Sequence, residues 1–319
     1  MKNTKIKILM VGLVTIILVS CLKQGTMNTD PANSNNVIEF ANTGDNLVSN
    51  GGVPGFYTDL GSVAAGASKT FNINVHYAGV GKAPSDITVT LAIDAATLAS
   101  YNANNGTNKV TPPATVYSFP TSVIIKAGTS QTTVSATITV SPDFDFNKAY
   151  GIPIKITNVS SGTISANYGT VVYSFGVRNI YDGAYTQTGT MVDLANGGLH
   201  GYYPNSVGLQ TSGATQVQVY DNTIGGVYHA ILSGTSLSYY GAFGVVFNFD
   251  ANNNVISVVN NYGQPASNGR YAQIDPTGVN KWDPATKTLK VKYFMYQPSV
   301  VPVGPRVTFD ETYTYTGVR

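Results

Sequence analysis

The chain has 319 residues, of which 18 are Lys or Arg, 16 are Asp or Glu and one is Cys. Charged residues make up 11%, against about a quarter in an average soluble domain, whereas 43% are apolar. This composition predicts a folded chain with a core, because disordered chains are poor in apolar residues and rich in charge. A formal charge of +2 predicts no nucleic-acid partner, and a single Cys excludes both an intramolecular disulfide and a cysteine zinc site.

The N-terminus has the three parts of a secretory signal peptide. Three lysines lie within residues 1–7, an apolar run follows at 8–19, and Ser20 precedes Cys21. The apolar run is shorter than the roughly 20 residues of a membrane-spanning helix. Residues 18–21 resemble a bacterial lipobox, which implies cleavage after residue 20 and lipid attachment at Cys21.

Processing at this position changes the charge and predicts a location. Removal of residues 1–20 takes away three lysines and no acid, which leaves 15 basic and 16 acidic residues. An acylated Cys21 would hold the chain at a membrane permanently. Residues 21–36 are polar and are predicted to form a flexible tether. The sequence therefore predicts a membrane-anchored lipoprotein.

From residue 37 onward, short runs alternate between apolar and polar residues and are separated by Gly, Asn, Asp and Pro. This pattern predicts β-strands with one buried face. One helical turn is predicted over 94–102, with Asp94 as its N-cap. The clearest strands predicted in the first half are 70–76, 87–93, 122–126, 133–140 and 171–177.

A change in composition near residue 178 predicts a boundary between two domains, 37–178 and 179–319. The second half holds 14 of the 21 tyrosines and the only tryptophan. It also contains a predicted hairpin, with strands at 243–249 and 255–259 and a turn at 250–254. Many short strands without long helices predict an all-β chain of sandwiches or barrels, and the second half fits either.

The first half resembles the N-terminal domain of certain Bacteroidota surface lipoproteins, a domain of unknown function found beside SusC/SusD-type glycan-uptake systems. The positions that carry this resemblance are 99–107, Pro112, Tyr117, 124–128 and 150–154. The second half is similar to the lipocalin-like barrel that often follows this domain, at 181–185, 268–270, 309–313 and 315–317. The resemblance implies an immunoglobulin-like sandwich followed by a calycin or lipocalin-like barrel, glycan capture, and SusC/SusD-type partners. It also implies an outer-membrane lipoprotein at the cell surface, but residues 22–26 lack the acidic residues that the family's surface export signals usually carry, which leaves the orientation open.

A candidate oligosaccharide site is predicted from aromatic side chains of the second half. Aromatic faces stack on sugar rings, and nearby polar side chains bind hydroxyl groups. Tyrosine is also a favoured strand residue, so each of these side chains has a structural alternative. The predicted ligand-binding residues are Tyr202, Tyr203, Tyr239, Tyr240, Tyr262, Asn268, Arg270 and Trp282, with Gln297 as a further polar contact.

No catalytic motif stands out, and no cofactor or metal is expected. His200 and His229 with Asp193 or Asp221 lack the spacing of a known zinc site. A glycoside hydrolase needs two carboxylates, and Glu311 is the only Glu after Glu39. The sequence therefore favours a non-catalytic binding protein, with a glycoside hydrolase and a scaffold or apolar-ligand carrier as alternatives.

Overall fold

The computed structural model describes residues 35–41 and 52–319, and the predicted signal peptide and Cys21 lie outside them. The first half forms two five-stranded sheets, ordered β5-β7-β3-β1-β9 and β2-β10-β8-β4-β6. Their strands are β1 (Val37–Phe40), β2 (Gly55–Ser62), β3 (Ser68–Ala78), β4 (Ile87–Ile93), β5 (Tyr117–Ser118), β6 (Ser122–Ile125), β7 (Gln131–Thr139), β8 (Gly151–Val159), β9 (Thr163–Ile164) and β10 (Thr170–Arg178).

A hydrophobic core of aliphatic and aromatic side chains joins these two sheets into a β-sandwich. On β4, Ile87, Val89 and Leu91 are buried, and the residues between them face away from the core. Ile73 of β3 and Ile154 of β8 are also fully buried. The predicted strands of the first half are confirmed, because period-2 alternation places every second side chain on the buried face.

The predicted helical turn is a longer helix, α1 (Ala95–Asn105). Asp94 is its N-cap residue, but its carboxylate accepts a hydrogen bond from the Thr97 hydroxyl at 2.6 Å and none from a backbone amide. Gly106 ends the helix with a φ of 61°, a left-handed conformation that glycine adopts without strain. Leu98 packs the helix onto the sandwich.

The second half forms a nine-stranded antiparallel sheet and a small three-stranded sheet. The strands are β11 (Gly183–Asp193), β12 (Leu199–Gly201), β13 (Asn205–Gly213), β14 (Gln216–Asp221), β15 (Ala230–Ser233), β16 (Ser236–Tyr239), β17 (Val245–Phe249), β18 (Val255–Asn260), β19 (Tyr271–Ile274), β20 (Lys281–Asp283), β21 (Thr288–Tyr296) and β22 (Val307–Gly317).

The larger sheet is a nearly closed barrel. Its order is β18-β17-β14-β13-β11-β22-β21-β19, β20 pairs with β21, and the end strands β18 and β19 approach each other. The predicted hairpin is confirmed as β17 and β18, with the turn at 250–254 between them. The chain is therefore a β-sandwich followed by a barrel, as predicted.

The strand registers define two ends of this barrel. Asp193 at the end of β11 pairs with Val307 at the start of β22, and Tyr296 of β21 pairs with Tyr271 of β19. The loops 240–244, 261–270 and 297–306 therefore lie together, at what we call the distal end. The opposite, proximal end faces the sandwich.

Side chains from both halves line crevices at this proximal end. One crevice lies between Gly61 and Arg178 on one side and Asp182 and Trp282 on the other. The domain boundary near residue 178 stays a prediction about independently folding units. Within residues 35–41 and 52–319, no helix has the length and apolar character needed to cross a membrane.

Candidate functional site

Three tyrosine rings form a partly exposed surface at the distal end of the barrel. Tyr228 lies in the loop after β14, Tyr239 ends β16, and Tyr262 follows β18. The ring centroids of Tyr228 and Tyr262 are 5.4 Å apart with an interplanar angle of 17°, and those of Tyr228 and Tyr239 are 4.8 Å apart. Tyr239 is 47% exposed and Tyr262 is 39% exposed. We call these three residues the tyrosine surface.

A glycine shapes this surface. A Cβ atom placed on Gly226 would lie 2.7 Å from the Tyr228 ring, which is closer than real Cβ contacts allow. The absent side chain of Gly226 therefore lets the Tyr228 ring lie against the backbone of its own loop. This close packing orients Tyr228 toward its two neighbours.

Beside the tyrosine surface, two guanidinium groups flank a buried tyrosine. The Cζ atoms of Arg270 and Arg306 each lie 5.2 Å from the centroid of the Tyr240 ring. The Tyr240 hydroxyl donates to Asp193 Oδ2 at 2.6 Å, and Arg306 donates to the same oxygen at 2.9 Å from Nη2. We call these residues, with Gln297, the arginine cluster.

Gln297 joins the two arginines. Its Oε1 accepts hydrogen bonds from Arg270 Nε at 3.1 Å and from Arg306 Nη1 at 2.5 Å. Burial would raise the pKa of Asp193, but the hydrogen bonds of Tyr240 and Arg306 and the charge of Arg306 lower it overall. Asp193 is therefore a carboxylate that holds the cluster together.

Inside the barrel, Glu311 is buried under a shell of hydrogen-bond donors. Because an ionised carboxylate offers about four lone pairs, five donors leave it saturated. Oε1 accepts from His229 Nε2 at 2.6 Å, Gln187 Nε2 at 2.9 Å and Tyr203 Oη at 2.6 Å, and Oε2 accepts from Tyr293 Oη at 2.8 Å and Tyr313 Oη at 2.6 Å.

His229 completes a buried ion pair with Glu311. Its Nδ1 lies 2.9 Å from the carbonyl oxygen of Ala230, so both ring nitrogens face acceptors, as suits an imidazolium. Burial would lower the pKa of His229, but the charge of Glu311 raises it overall. Burial would likewise raise the pKa of Glu311, but the charge and hydrogen bond of His229 lower it. Both groups therefore favour their charged forms.

The other carboxylates of the second half are mostly committed to structural contacts. Asp221 accepts from Asn205 and from three backbone amides, and Asp182 is held by Arg319. Asp250, Asp275 and Asp283 accept backbone amides two residues onward, as in Asx turns. Within residues 35–41 and 52–319, no group of three His, Cys, Asp or Glu residues is arranged to hold a metal.

The structure places five of the predicted binding residues at the distal end. Tyr239 and Tyr262 belong to the tyrosine surface, and Asn268 lies beside it, donating to the carbonyl oxygen of Gly241 at 2.8 Å. Tyr240 and Arg270 belong to the arginine cluster. Tyr202 is only partly exposed.

Two of the predicted binding residues face the core of the barrel. The Tyr203 hydroxyl is directed inward to Glu311, so its ring packs with the barrel core. Trp282 is 3% exposed and lies at the proximal end, with its ring centroid 5.1 Å from that of Tyr181. The expectation that Trp282 offers a free stacking face is corrected, because residue 282 is on the inward-facing phase of β20.

Sequence reasoning did not select Tyr228 or Arg306. Tyr228 follows Gly225 and Gly226, and two glycines before an aromatic residue mark a loop in which a ring can pack against backbone. Arg306 stands in a loop with no motif around it. Arg306 binds Asp193 because β11 pairs with β22, which brings residues 193 and 306 together.

Comparisons with known proteins support the fold. A family model for an N-terminal domain matches residues 47–163. None of the curated proteins matches the chain. A Bacteroides ovatus protein of unknown function is 12% identical, with a TM-score of 0.56 over 89% of this chain and 95% of that chain. This likeness covers both halves and shows that the two-part architecture exists in a solved structure.

Two further solved structures are similar over most of the chain. A second Bacteroides ovatus protein of unknown function is 13% identical, with a TM-score of 0.44 over 87% of this chain and 94% of that chain. An auxiliary nutrient binding protein from Bacteroides thetaiotaomicron is 18% identical, with a TM-score of 0.40 over 82% of this chain and 90% of that chain.

Proposed function

We propose that the chain is an outer-membrane lipoprotein whose barrel binds an oligosaccharide at its distal end, as a non-catalytic accessory of a glycan-uptake system. The tyrosine surface is the observation that carries this proposal. Three adjacent rings, two of them substantially exposed, offer flat faces on which the apolar side of a sugar ring stacks. Amide and guanidinium donors for hydroxyl groups lie beside these rings at Asn268 and Arg270.

A lipid anchor at the N-terminus would present this site away from the membrane. The distal end is the end of the barrel away from the sandwich, and the sandwich joins the barrel to the N-terminal tether. A lipid on Cys21 would hold the chain at the membrane by its N-terminus. The sandwich would then act as a spacer that presents the tyrosine surface away from the membrane, toward glycan and SusC/SusD-type transport proteins.

The barrel interior favours this outer site over an apolar-ligand carrier. Tyr293, Tyr313, Phe243, Phe247 and Phe309 are all fully buried in it. Barrels of this size hold either side chains or one small ligand. Here side chains occupy the space that a small ligand would need.

A glycoside hydrolase built on Glu311 finds little support in the geometry. The carboxylate is 1% exposed and its lone pairs are taken by five donors. A general acid must reach the glycosidic oxygen, and a nucleophile must reach the anomeric carbon. Glu311 would have to break its contacts with the barrel core to do either.

Titration calorimetry of the full chain in detergent against a panel of oligosaccharides tests the proposal, with released reducing ends measured in parallel. We expect binding heat without cleavage, and at least about tenfold weaker binding by Tyr262→Ala, equivalent to about 1.4 kcal/mol. Tyr57→Ala is the matched control, because Tyr57 is an exposed tyrosine of the sandwich. Equal losses from both variants, or no binding across the panel, would refute the site.

A further inference from the structure

We infer that the distal site recognises an anionic sugar, with Arg270 as the residue that binds its carboxylate or sulfate group. This inference rests on the proposed function and adds the class of glycan. It is carried by the balance of charges in the arginine cluster and by the position of Arg270 next to the tyrosine surface.

The cluster holds two positive charges and one negative charge. Arg306 uses Nε and Nη2 to bind Asp193, at 3.2 Å and 2.9 Å. Arg270 forms no salt bridge within residues 35–41 and 52–319 and donates only to neutral oxygens, those of Gln297 and Gly241. One guanidinium of the pair therefore lacks a counter-ion.

The positive charge of Arg270 is therefore not balanced within the arginine cluster. Arg270 is partly buried, and both its burial and the neighbouring charge of Arg306 lower its pKa from the usual value, while Asp193 acts in the opposite direction. Removing a charge from water without a counter-ion costs free energy. An anion bound at Arg270 would recover part of that cost, and guanidinium groups bind carboxylates and sulfates through paired donors.

Arg270 also has a hydrogen-bond donor that no hydrogen bond within residues 35–41 and 52–319 uses. The hydrogen bonds of Arg270 use Nε and Nη1, so Nη2 remains for a ligand. The acceptors that hold Arg270 also set its direction, because Gln297 accepts from Nε and the carbonyl oxygen of Gly241 accepts from Nη1. The group is therefore ordered before a ligand arrives, and ordering lowers the entropy cost of binding.

Arg270 is also placed to act together with the tyrosine surface. Its guanidinium lies over the ring of Tyr240, and the preceding residue, Tyr239, is part of that surface. Asn268 donates to Gly241, the same residue that accepts from Arg270. A sugar ring stacked on the tyrosines would thus have a donor for a hydroxyl group and a cation for an acidic group within the same loop cluster.

Matched ligands test the inference without any mutation. Calorimetry of the full chain in detergent would compare a uronate oligosaccharide, the same oligosaccharide with its carboxylates reduced to alcohols, and a sulfated oligosaccharide. We expect the uronate or the sulfated ligand to bind at least about tenfold more tightly than the reduced ligand, with affinity that falls as salt rises. Which anionic ligand binds more tightly distinguishes a carboxylate from a sulfate.

Two variants test the assigned residue. Arg270→Gln should remove the preference for the anionic ligand, so that the anionic and reduced ligands bind with about equal affinity, and Arg270→Lys should restore part of that preference. Fluorescence of Trp282, the only tryptophan, checks that the barrel of each variant stays folded. Arg319→Gln is the control, because Arg319 pairs with Asp182 at the proximal end.

The outcomes separate this inference from the proposed function. Equal binding of the reduced and anionic ligands, lost on Tyr262→Ala, would overturn the role of Arg270 and leave the oligosaccharide site standing. An anionic preference that persists in Arg270→Gln would also overturn it. Binding of no ligand would overturn both proposals.

Discussion

The sandwich and the barrel bury different kinds of side chain. In the sandwich, the buried polar residues of the described chain are uncharged, and they are Thr97, Ser165 and Ser174. The barrel buries Asn179, Asp182, Gln187, Asp193, Asn205, Asp221, His229, Asn260, Asp275, Asn280, Gln297 and Glu311. Apolar contacts are non-directional, whereas each buried polar group needs a partner in a defined position.

This difference suggests a division of roles between the halves. A sandwich held by apolar contacts needs only suitable side-chain volume and an alternating pattern, as a spacer does. In the barrel, Asn260 binds the backbone of residues 242 and 270, and Asp193 binds Tyr240 and Arg306. The buried polar groups thus fix the loops that carry the tyrosine surface and the arginine cluster.

The largest effect is expected from removing the carboxylate at the centre of the barrel. Glu311→Ala should destabilise the barrel by about 3–5 kcal/mol, because it leaves the charge of His229 buried without its partner. Urea unfolding followed by Trp282 fluorescence measures this, since the only tryptophan lies in the barrel. A loss below about 1 kcal/mol would show that the network adds little to stability.

A core substitution in the sandwich should destabilise the sandwich and leave the stability of the barrel unchanged. Ile154→Ala removes buried methyl groups from β8 and should cost about 3 kcal/mol. Far-UV circular dichroism should then show an earlier transition while the midpoint from Trp282 fluorescence is unchanged. A shift of both midpoints would mean that the halves unfold together and that no independent domain boundary exists near residue 178.

The buried ion pair should make barrel stability depend on pH. Folding lowers the pKa of Glu311 below its ordinary 4.5, so its contribution is full above pH 4.5 and declines as pH falls. Folding raises the pKa of His229 above 6.5, so its contribution is full below pH 6.5 and declines as pH rises.

The stability difference between the wild type and a double variant, Glu311→Gln with His229→Gln, should therefore peak between those two values. Urea unfolding at about pH 4, 5.5 and 8 measures it. A difference that is constant across the three pH values would contradict an ion pair at this position.

The smallest effect is expected from an ion pair at the surface of the sandwich. Arg178 Nη2 lies 2.8 Å from Asp59 Oδ2, and both side chains are in contact with solvent. Arg178→Ala should change stability by less than about 1 kcal/mol, because solvent screens such pairs. Salt titration of the wild type and the variant supplies the check, and a loss comparable to that of Glu311→Ala would remove the contrast between the halves.

Local pattern was sufficient for much of the fold. Alternation predicted β4 over its whole length and the hairpin of β17 and β18, because a strand that buries one face must repeat every two residues. Asp94 and Gly106 frame the helix for reasons of local backbone geometry.

The local sequence pattern did not predict which side chains of the barrel face the core and which face solvent. Tyr239 and Tyr240 are consecutive, yet one is 47% exposed and the other is 3% exposed. Tyr240 lies just after the end of β16, and its hydroxyl donates to the buried Asp193. Trp282 and Tyr203 were predicted to be binding residues from their chemistry and their positions near loops or strand ends. The register of β20 turns Trp282 toward the core, and Tyr203, in the loop between β12 and β13, donates to the buried Glu311.

Composition, alternation and turn residues decided that the chain is all-β, where many of its strands lie, and that aromatic residues concentrate in the second half, because these properties depend on nearest neighbours. The tertiary structure decided which tyrosines share a surface, which carboxylates are saturated, and which arginine lacks a counter-ion. Those properties depend on strand pairing between residues more than a hundred positions apart, such as Gln187 with Tyr313. Pairing over such distances is set by the closure of the barrel, which no local stretch of sequence encodes.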